Sequence, residues 1–548
     1  MGVKRTILRP AAFVAGWHAR RQTAAFLAAH RRTRQVQDKL LAELIARHRD
    51  TAFGRDHGFG AIRNYADFKT AVPVGNYETH RPYVERVLAG ETTALLPDDA
   101  GGAVLMFSLT SGTTGAPKHI PVTRRFLVQM RRGWNIWGLR ALLDHKAAWL
   151  RPILQISSPT HEAISPTGLP CGAISGMLAE TQKRIVRRMY VVPPSVTGIE
   201  DPAVRYYAIL RCAIAHDVAF ITTANPSTTI RLIETGQAHA ERLIRDVADG
   251  MLTPSGEAPG EIAGMRFRPD AALARRLEVG VGRDGKLLPR HFWNLEFLAN
   301  WTGGTLKLYL RRLRELFGDL PIRDVGLLAS EGRFSVPLRD DTAAGVAEIT
   351  GNFLEFAPID CHGQPNPPTL RAEEVEIGCE YGLVFSNWAG LWRYDIDDRI
   401  RVVDRFGDSP VFEFLSRGRN TANITGEKLT EHQVVEAMRR AAAGLGANVE
   451  LFVVQGCFGA TPYYQLRLEA AGGLDVEKLA ERFDAELSAL NIEYRSKRKS
   501  ARLGAIRAVV LPSGELESQE ARKIRLRRGR DEQYKHQYLL TEVSQEAC

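Results

Sequence analysis

Cysteine is scarce in this sequence. Cys171, Cys212, Cys361, Cys379, Cys457 and Cys548 are the only six in 548 residues. They form no Cys-x-x-Cys pair and no dense cluster, which excludes a disulfide scaffold and makes a reducing compartment the default. Cys361-His362 is the nearest approach to a metal pattern. No second ligand pair lies close by, so it reads as a loop. Long apolar runs are missing too. No window approaches the about 18 uninterrupted apolar residues of a membrane-spanning helix. The N-terminal apolar stretch is broken by Arg9, Pro10 and Trp17-His18, unlike the clean apolar region of a secretory signal. A cytoplasmic protein without a membrane partner is expected. Internal repeats, low-complexity linkers and a Gly-x-Ser-x-Gly elbow are also absent, and no Ser/His/Asp hydrolase set is legible.

What is present is the composition of a folded globular chain, 44% hydrophobic and 25% charged, which excludes wholesale disorder. At roughly 150 residues per domain the length suggests about three or four units. Lys+Arg 73 against Asp+Glu 63 gives a net charge of +10. That balance permits nucleic-acid, anionic-membrane or phosphate-bearing partners and establishes none of them.

Residues 11–50 predict helix, with Leu40, Leu41, Leu44 and Ile45 at helical spacing. Short apolar runs predict strands at 104–107, 218–223, 322–328, 352–356, 381–385, 400–403 and 411–414. Strands alternating with helices argue for an α/β or mixed body. The texture changes at Ser416-Arg417-Gly418-Arg419. Beyond it a helix (431–443), strands (449–454 and 463–469), a helix (475–490) and a strand (505–511) make a compact α+β unit. The domains expected are therefore 1–416 and 417–548.

The most informative segment is Ser108-Leu-Thr-Ser-Gly-Thr-Thr-Gly-Ala-Pro-Lys118. Gly112 and Gly115 allow close backbone approach. Backbone N–H groups and the hydroxyls of Ser108, Thr110, Ser111, Thr113 and Thr114 can donate to phosphate oxygens, and Lys118 adds a cation. The order differs from the P-loop GxxxxGK[ST], because Lys does not follow the second glycine.

This segment resembles the phosphate motif of the adenylate-forming superfamily. Most of the chain resembles one branch of it, the auxin-responsive acyl-acid amido synthetases (the Gretchen Hagen three family), in bacterial form. Thr51-Ala-Phe-Gly-Arg-Asp-His-Gly-Phe59 and Val72-Pro-Val-Gly-Asn-Tyr77 are similar to its opening segments. Asn352-Phe-Leu-Glu-Phe-Ala-Pro358 resembles its aromatic-x-Glu-Phe-x-Pro strand. Gly390-Leu-Trp-Arg-Tyr-Asp-Ile-Asp-Asp398 resembles its Gly-Leu-Tyr-Arg-Tyr-x-x-Gly-Asp, with Trp392 for Tyr and Asp397 for Gly. Ile424-Thr-Gly-Glu-Lys-Leu-Thr-Glu431 resembles a further motif, in which Lys428 is structural or lies near substrate.

The resemblance implies roles. ATP and Mg²⁺ would be required. Ser108 to Lys118 would cradle phosphates, and Glu331, in Ala329-Ser330-Glu331-Gly332, would hold Mg²⁺ while the turn flanks adenine and acyl group. Asp398 would bind the ribose hydroxyls, Arg417 the ribose and phosphate, and Lys535, in Gln533-Tyr-Lys535, the α-phosphate. Phe107, Val122, Phe126, Thr223, Trp301 and Trp392 are loose candidates for the acyl pocket. The implied fold is a large N-terminal lobe of sheets and helices with a smaller, rotating C-terminal α+β domain, the site lying between them. The implied reaction joins a small carboxylic acid to an amine, that of an amino acid, through an acyl-adenylate.

An acyl-CoA ligase, using a thiol acceptor, is the first rival, but its Pro-x-x-x-x-Gly-Lys is absent. A non-catalytic nucleotide- or nucleic-acid-binding protein is the second. The basic stretch 495–530 lacks aromatic interleaving and reads as solvated faces, so no nucleic-acid partner is expected. Gly280-Val-Gly-Arg-Asp-Gly285 matches GxGxxG, but a helical run precedes it, and it reads as a turn.

Overall fold

The computed structural model describes residues 2–110, 118–157, 160–199, 201–254, 260–417, 421–422, 424, 429–458, 461–469, 474–499, 503–526 and 536–545. They form two compact units. One is Met1–Gly303 with Leu310–Ile396 and Ile400–Phe414; the other is Gly304–Tyr309 with Asp397–Arg399 and Leu415–Cys548.

The first unit opens on α1 (Gly2–Ala29) and α2 (Thr33–His48), with Leu40, Leu41, Leu44 and Ile45 buried on one face. Short capped helices follow: α3 (Ala52–Asp56), α4 (Tyr65–Ala71) and α5 (Tyr77–Leu88). Thr51, Asn64 and Asn76 each accept a hydrogen bond from a first-turn amide, which satisfies donors a helix start leaves open. Strands then run β1 (Val104–Thr110), β2 (Lys118–Thr123), β3 (Ile153–Gln155), β4 (Ala163–Ile164), β5 (Pro170–Gly172), β6 (Phe220–Thr222), β7 (Phe297–Asn300) and β8 (Ile322–Asp324). Helix α6 (Arg124–Asp144) leaves the end of β2 through a Thr123 cap. After β8 come β9 (Leu328–Ala329), β10 (Gly332–Arg333), β11 (Ser335–Val336), β12 (Gly345–Ala347), β13 (Asn352–Pro358), β14 (Leu370–Arg371), β15 (Glu380–Asn387), β16 (Tyr394–Phe406) and β17 (Ser409–Arg417).

These strands build a sheet β2-β1-β5-β4, a parallel sheet β3-β6-β7-β8, and a seven-stranded sheet β11-β12-β17-β16-β15-β13-β14. The parallel strands are buried and joined by crossovers that contain helices such as Pro202–Ala213 and Ala271–Asp284, as parallel pairing requires. In β16, Tyr394, Ile396, Asp398, Ile400 and Val402 are buried in strict alternation. That is the period of a half-buried strand.

The second unit has β18 (Thr421–Ala422), β19 (Leu429–Thr430), β20 (Phe452–Phe458), β21 (Tyr463–Glu469), β22 (Arg507–Leu511) and β23 (Leu539–Gln545). Its sheet runs β22-β21-β20-β23. Helices Glu431–Ala443 and Val476–Leu490 contribute Val434, Met438, Leu479 and Phe483 to its core. Thr430 and Gln433 form a capping box that starts the first helix.

Three details differ from the sequence reading. The strand expected at 449–454 spans Phe452–Phe458. Helix Glu515–Leu526 and strand β23 complete the unit. Gly280–Gly285 is the end of a helix, Ala271–Asp284, with Gly285 as its left-handed cap at φ +69°. Asp270 caps that helix at its start, and a Cβ on Gly280 would come 2.6 Å from the His291 ring. No helix among the described residues is long and apolar enough to cross a membrane.

Candidate active site

β1 and β2 form an antiparallel hairpin with Thr110 opposite Lys118. Ser111, Gly112, Thr113, Thr114 and Gly115 fall between these two residues and lie outside the described residues, as do Lys428 and Lys535. At the root of the loop Ser108 is fully buried, and its Oγ has no hydrogen-bond partner among the described residues. A buried hydroxyl in that state calls for a partner. The half-buried Lys118 places its Nζ 5.6 Å from the centre of the Tyr77 ring. The Tyr77 hydroxyl accepts the His119 N–H at 3.0 Å.

The opening motif 72–77 joins this hairpin to the Arg-Tyr-Asp motif. Gly75 N–H donates to the Arg393 carbonyl (3.1 Å), and Asp395 N–H donates to the Gly75 carbonyl (2.7 Å). Asp397, where the resembling motif has glycine, adopts φ +65°. Asp is among the residues that tolerate the left-handed region best, so this chain keeps the glycine-type turn with an aspartate. Asp398 follows it, 3% exposed, in the buried register of β16; residues Asp397–Arg399 group with the second unit. Arg417 is the last residue of β17.

Glu331 sits in the two-residue turn between β9 and β10, with Ala329 and Ser330 half-buried and Glu331 1% exposed. Two amides clamp the hairpin. Asn387 Nδ2 donates to the Glu331 carbonyl (2.7 Å), and Asn352 Nδ2 donates to the Arg333 carbonyl (2.7 Å). Asn352 and Asn387 face each other across β13 and β15. Burial draws the Arg333 guanidinium down to about 10, a shift that Glu348 and Asp324 oppose. It remains a cation at neutral pH, lying 4.4 Å over the Trp134 ring.

The six acyl-pocket candidates divide. Phe107, Val122, Phe126 and Trp392 are 0–2% exposed members of one core cluster. Trp392 packs against Phe59 (4.6 Å between ring centres) and His48 (5.1 Å), because helices α2 and α3 and the turn after them fold over it. Thr223 and Trp301 instead follow β6 and β7, at the C-terminal edge of the parallel sheet. Thr223 Oγ1 donates to the Asn225 carbonyl (2.9 Å) and accepts from Asn300 Nδ2 (2.7 Å). The Trp301 indole donates to the Gly326 carbonyl (2.8 Å). In open sheets of this kind ligands bind at that edge.

One pairing was not legible from spacing. Glu355, of the Asn352–Pro358 strand, and Arg393, of the Arg-Tyr-Asp motif, make an ion pair at 3.0 Å with exposures of 0% and 1%. Tyr65 and Thr369 donate to the same carboxylate oxygen (2.8 and 2.7 Å), and Arg393 NH1 donates to the Val72 carbonyl (2.9 Å). These two motifs therefore hold each other. The sequence signal is an acid inside the apolar run Phe353-Leu-Glu-Phe356 and a base beside Trp392.

Three family models match in chain order: the GH3 family N-terminal domain over residues 22–322, the central domain over 346–417 and the C-terminal domain over 432–544. Indole-3-acetic acid-amido synthetase GH3.8 of Oryza sativa subsp. indica is 26% identical over 504 residues, 84% of this chain and 81% of its own. Jasmonoyl--L-amino acid synthetase JAR6 of Nicotiana attenuata is 25% identical over 513 residues, 88% of this chain and 86% of its own. The solved structure of AtGH3.15 acyl acid amido synthetase in complex with 2,4-DB superposes with a TM-score of 0.80 at 21% identity, covering 95% of this chain and 94% of that one. That likeness establishes a shared mixed α/β fold. Matched along almost its whole length, the chain belongs to the GH3 family.

Proposed function

We propose that this protein is an ATP-dependent acid–amino-acid ligase, an acyl-acid amido synthetase. The observation that carries this reading is the match to all three GH3 domains, in order, between residues 22 and 544, together with relatives named amido synthetase and amino acid synthetase. In the first half-reaction a carboxylate oxygen bonds to the α-phosphorus of ATP, and the bond from that phosphorus to pyrophosphate breaks. In the second, an amino-acid amine attacks the acyl carbonyl, the C–O bond to AMP breaks, and the amine gives up a proton.

Neither half needs a protein nucleophile, so the residues act by positioning and charge. Ser108, Thr110, Ser111, Gly112, Thr113, Thr114, Gly115 and Lys118 hold the phosphates. The buried Ser108 hydroxyl suits a phosphate oxygen as its missing partner. Ala329 and Ser330 flank the adenine, Asp398 takes the ribose hydroxyls, and Arg417 reaches ribose and phosphate. Lys535 offsets charge at the α-phosphate. Thr223 and Trp301 line the acyl group, and Phe107, Val122, Phe126 and Trp392 pack behind it. The chain works as two parts, 1–416 and 417–548, the second carrying Lys535.

Among the described residues no three His, Cys, Asp or Glu side chains converge on a metal position. The buried Glu331 carboxylate fits an ion that arrives on the triphosphate, because Mg²⁺ takes one or two carboxylates plus phosphate oxygens. When bound, Mg²⁺ would supply charge neutralisation on the phosphates.

Acid-dependent exchange of labelled pyrophosphate into ATP tests this reading. Exchange is expected with at least one acid of a panel of aryl and alkyl carboxylic acids, and strongly reduced exchange in Lys118→Ala. No exchange with any acid would overturn it.

A further inference from the structure

Thr302, Asp324 and Gly326 form a closed knot where β7 and β8 end. Asp324 is 3% exposed. Its Oδ2 accepts the Thr302 N–H (2.6 Å) and the Thr302 hydroxyl (2.7 Å), and its Oδ1 accepts the Gly326 N–H (2.6 Å). Gly326 has φ +86°, and a Cβ there would come 2.4 Å from the Ser335 carbonyl oxygen. Only glycine can present its N–H in this way. The Gly326 carbonyl, in turn, accepts the Trp301 indole at 2.8 Å. The same turn is the foot of the Glu331 hairpin: Val325 O accepts from Arg333 NH1 (2.9 Å), Leu327 O from Phe334 N–H (2.8 Å), and Leu327 N–H donates to Ser335 Oγ (2.9 Å).

We propose that Asp324 is a positioning residue for the acyl-adenylate site: its carboxylate locks the loop that bears Trp301 to the turn that bears the Glu331 hairpin. The inference rests on the function proposed above, which gives Trp301 and Glu331 their roles. A buried carboxylate held by uncharged donors is an expensive way to make a turn, because an amide or hydroxyl cap desolvates less charge. Its return is geometric. Both carboxylate oxygens are engaged only when Asp324 is ionised; a proton on either one faces a donor. Arg333, on β10, is the charged group facing it, and the Trp137 indole of α6 donates to its main-chain carbonyl (2.8 Å). Burial raises the Asp324 carboxyl to about 6 despite its three donors, so the lock opens just below neutral pH.

Asp324→Asn and Thr302→Val, followed by pyrophosphate exchange across pH, test the proposal. In wild type kcat falls on the acid side with a midpoint near 6. Asp324→Asn lowers kcat roughly tenfold to a hundredfold, raises KM for the acid more than KM for ATP, and removes that limb. Thr302→Val removes one donor to the carboxylate, so its limb moves to higher pH. Emission from Trp301, isolated by difference against Trp301→Phe, reports the lock without activity. It changes through the same midpoint in wild type and stays flat in Asp324→Asn. Absence of exchange in wild type counts against the proposed function and leaves the fluorescence to decide the role of Asp324. Unchanged kinetics and pH profile in both variants, or a Trp301 signal indifferent to pH in wild type, overturns the inference.

Discussion

The seven-stranded sheet and the parallel sheet of the first unit handle buried charge in different ways. In the seven-stranded sheet Glu355 meets Arg393, countercharge to countercharge, with Tyr65 and Thr369 filling the remaining positions. The parallel sheet ends in Asp324, held by backbone amides and one hydroxyl. In the first arrangement, deleting either partner strands the other's charge in the core. The second leaves a carboxylate that can respond to its surroundings. Glu355 and Arg393 stand inside two of the family motifs, and both serve packing. The polar groups at the C-terminal edge of the parallel sheet carry no motif at all.

The comparison can be broken most forcefully at Glu355. Replacing it by Ala strands a guanidinium that is 1% exposed. A loss of about 3–5 kcal/mol is expected in urea unfolding, and Arg393→Met added to it should recover part of the loss. A loss below about 1 kcal/mol would make the pair incidental.

The buried histidines beside Trp392 and the buried Asp324 also respond to acid in opposite directions. His48 and His80, packed around Trp392, are drawn by burial from 6.5 down to about 4. His80 must be neutral at Nε2, since it accepts the Trp392 N–H (3.0 Å). The unfolded chain binds more protons between pH 6.5 and 4, so the stability from these residues is complete above 6.5 and is lost as pH falls toward 4. The expected loss is about 3 kcal/mol for each. Asp324 has the reverse sign. Its folded value of about 6 lies above its ordinary 3.8, so protonation relieves a destabilisation as pH falls. Unfolding followed across pH 4–7 in wild type, His80→Gln and Asp324→Asn separates the two contributions. The histidine variant should flatten the acid loss, and the aspartate variant should steepen it.

Lys118→Ala tests the site itself. If Lys118 serves the phosphates as proposed, its removal should lower adenylation about a hundredfold or more, with urea unfolding shifted by less than about 1 kcal/mol through the lost contact over Tyr77. The smallest effect is expected at Asp397. Gly should be tolerated there, whereas Val, at φ +65°, should cost about 1–2 kcal/mol.

Much of the fold was readable before any coordinates. Leu40, Leu41, Leu44 and Ile45 marked the buried face of α2, and the apolar run before Ser108 marked β1. Helix 431–443 began and ended where its Thr430 cap and Gly444 indicate. Local signals of this kind depend on neighbours a few residues away. The clamps were not readable, because they depend on register. Asn352 meets Asn387 only through the β13–β15 pairing, and Glu355 lies 38 residues from Arg393. Trp392 stands in a motif rich in charged residues, which gives no local sign of its depth in the core. Its burial is decided by Phe53, Phe59 and Phe68, more than three hundred residues earlier in the chain. Asp324 and Thr302, 22 residues apart, offer only one acid within a short strand-like run and one hydroxyl just after another.

The central claim is that an amine accepts the activated acyl group. The direct measurement is mass spectrometry of reactions containing the protein, Mg-ATP, a carboxylic acid active in pyrophosphate exchange, and either the amino acids or coenzyme A. The account predicts an ATP-dependent acyl–amino-acid amide, with one AMP released for each amide formed. Formation of an acyl-CoA thioester with no amide from any amino acid would contradict it.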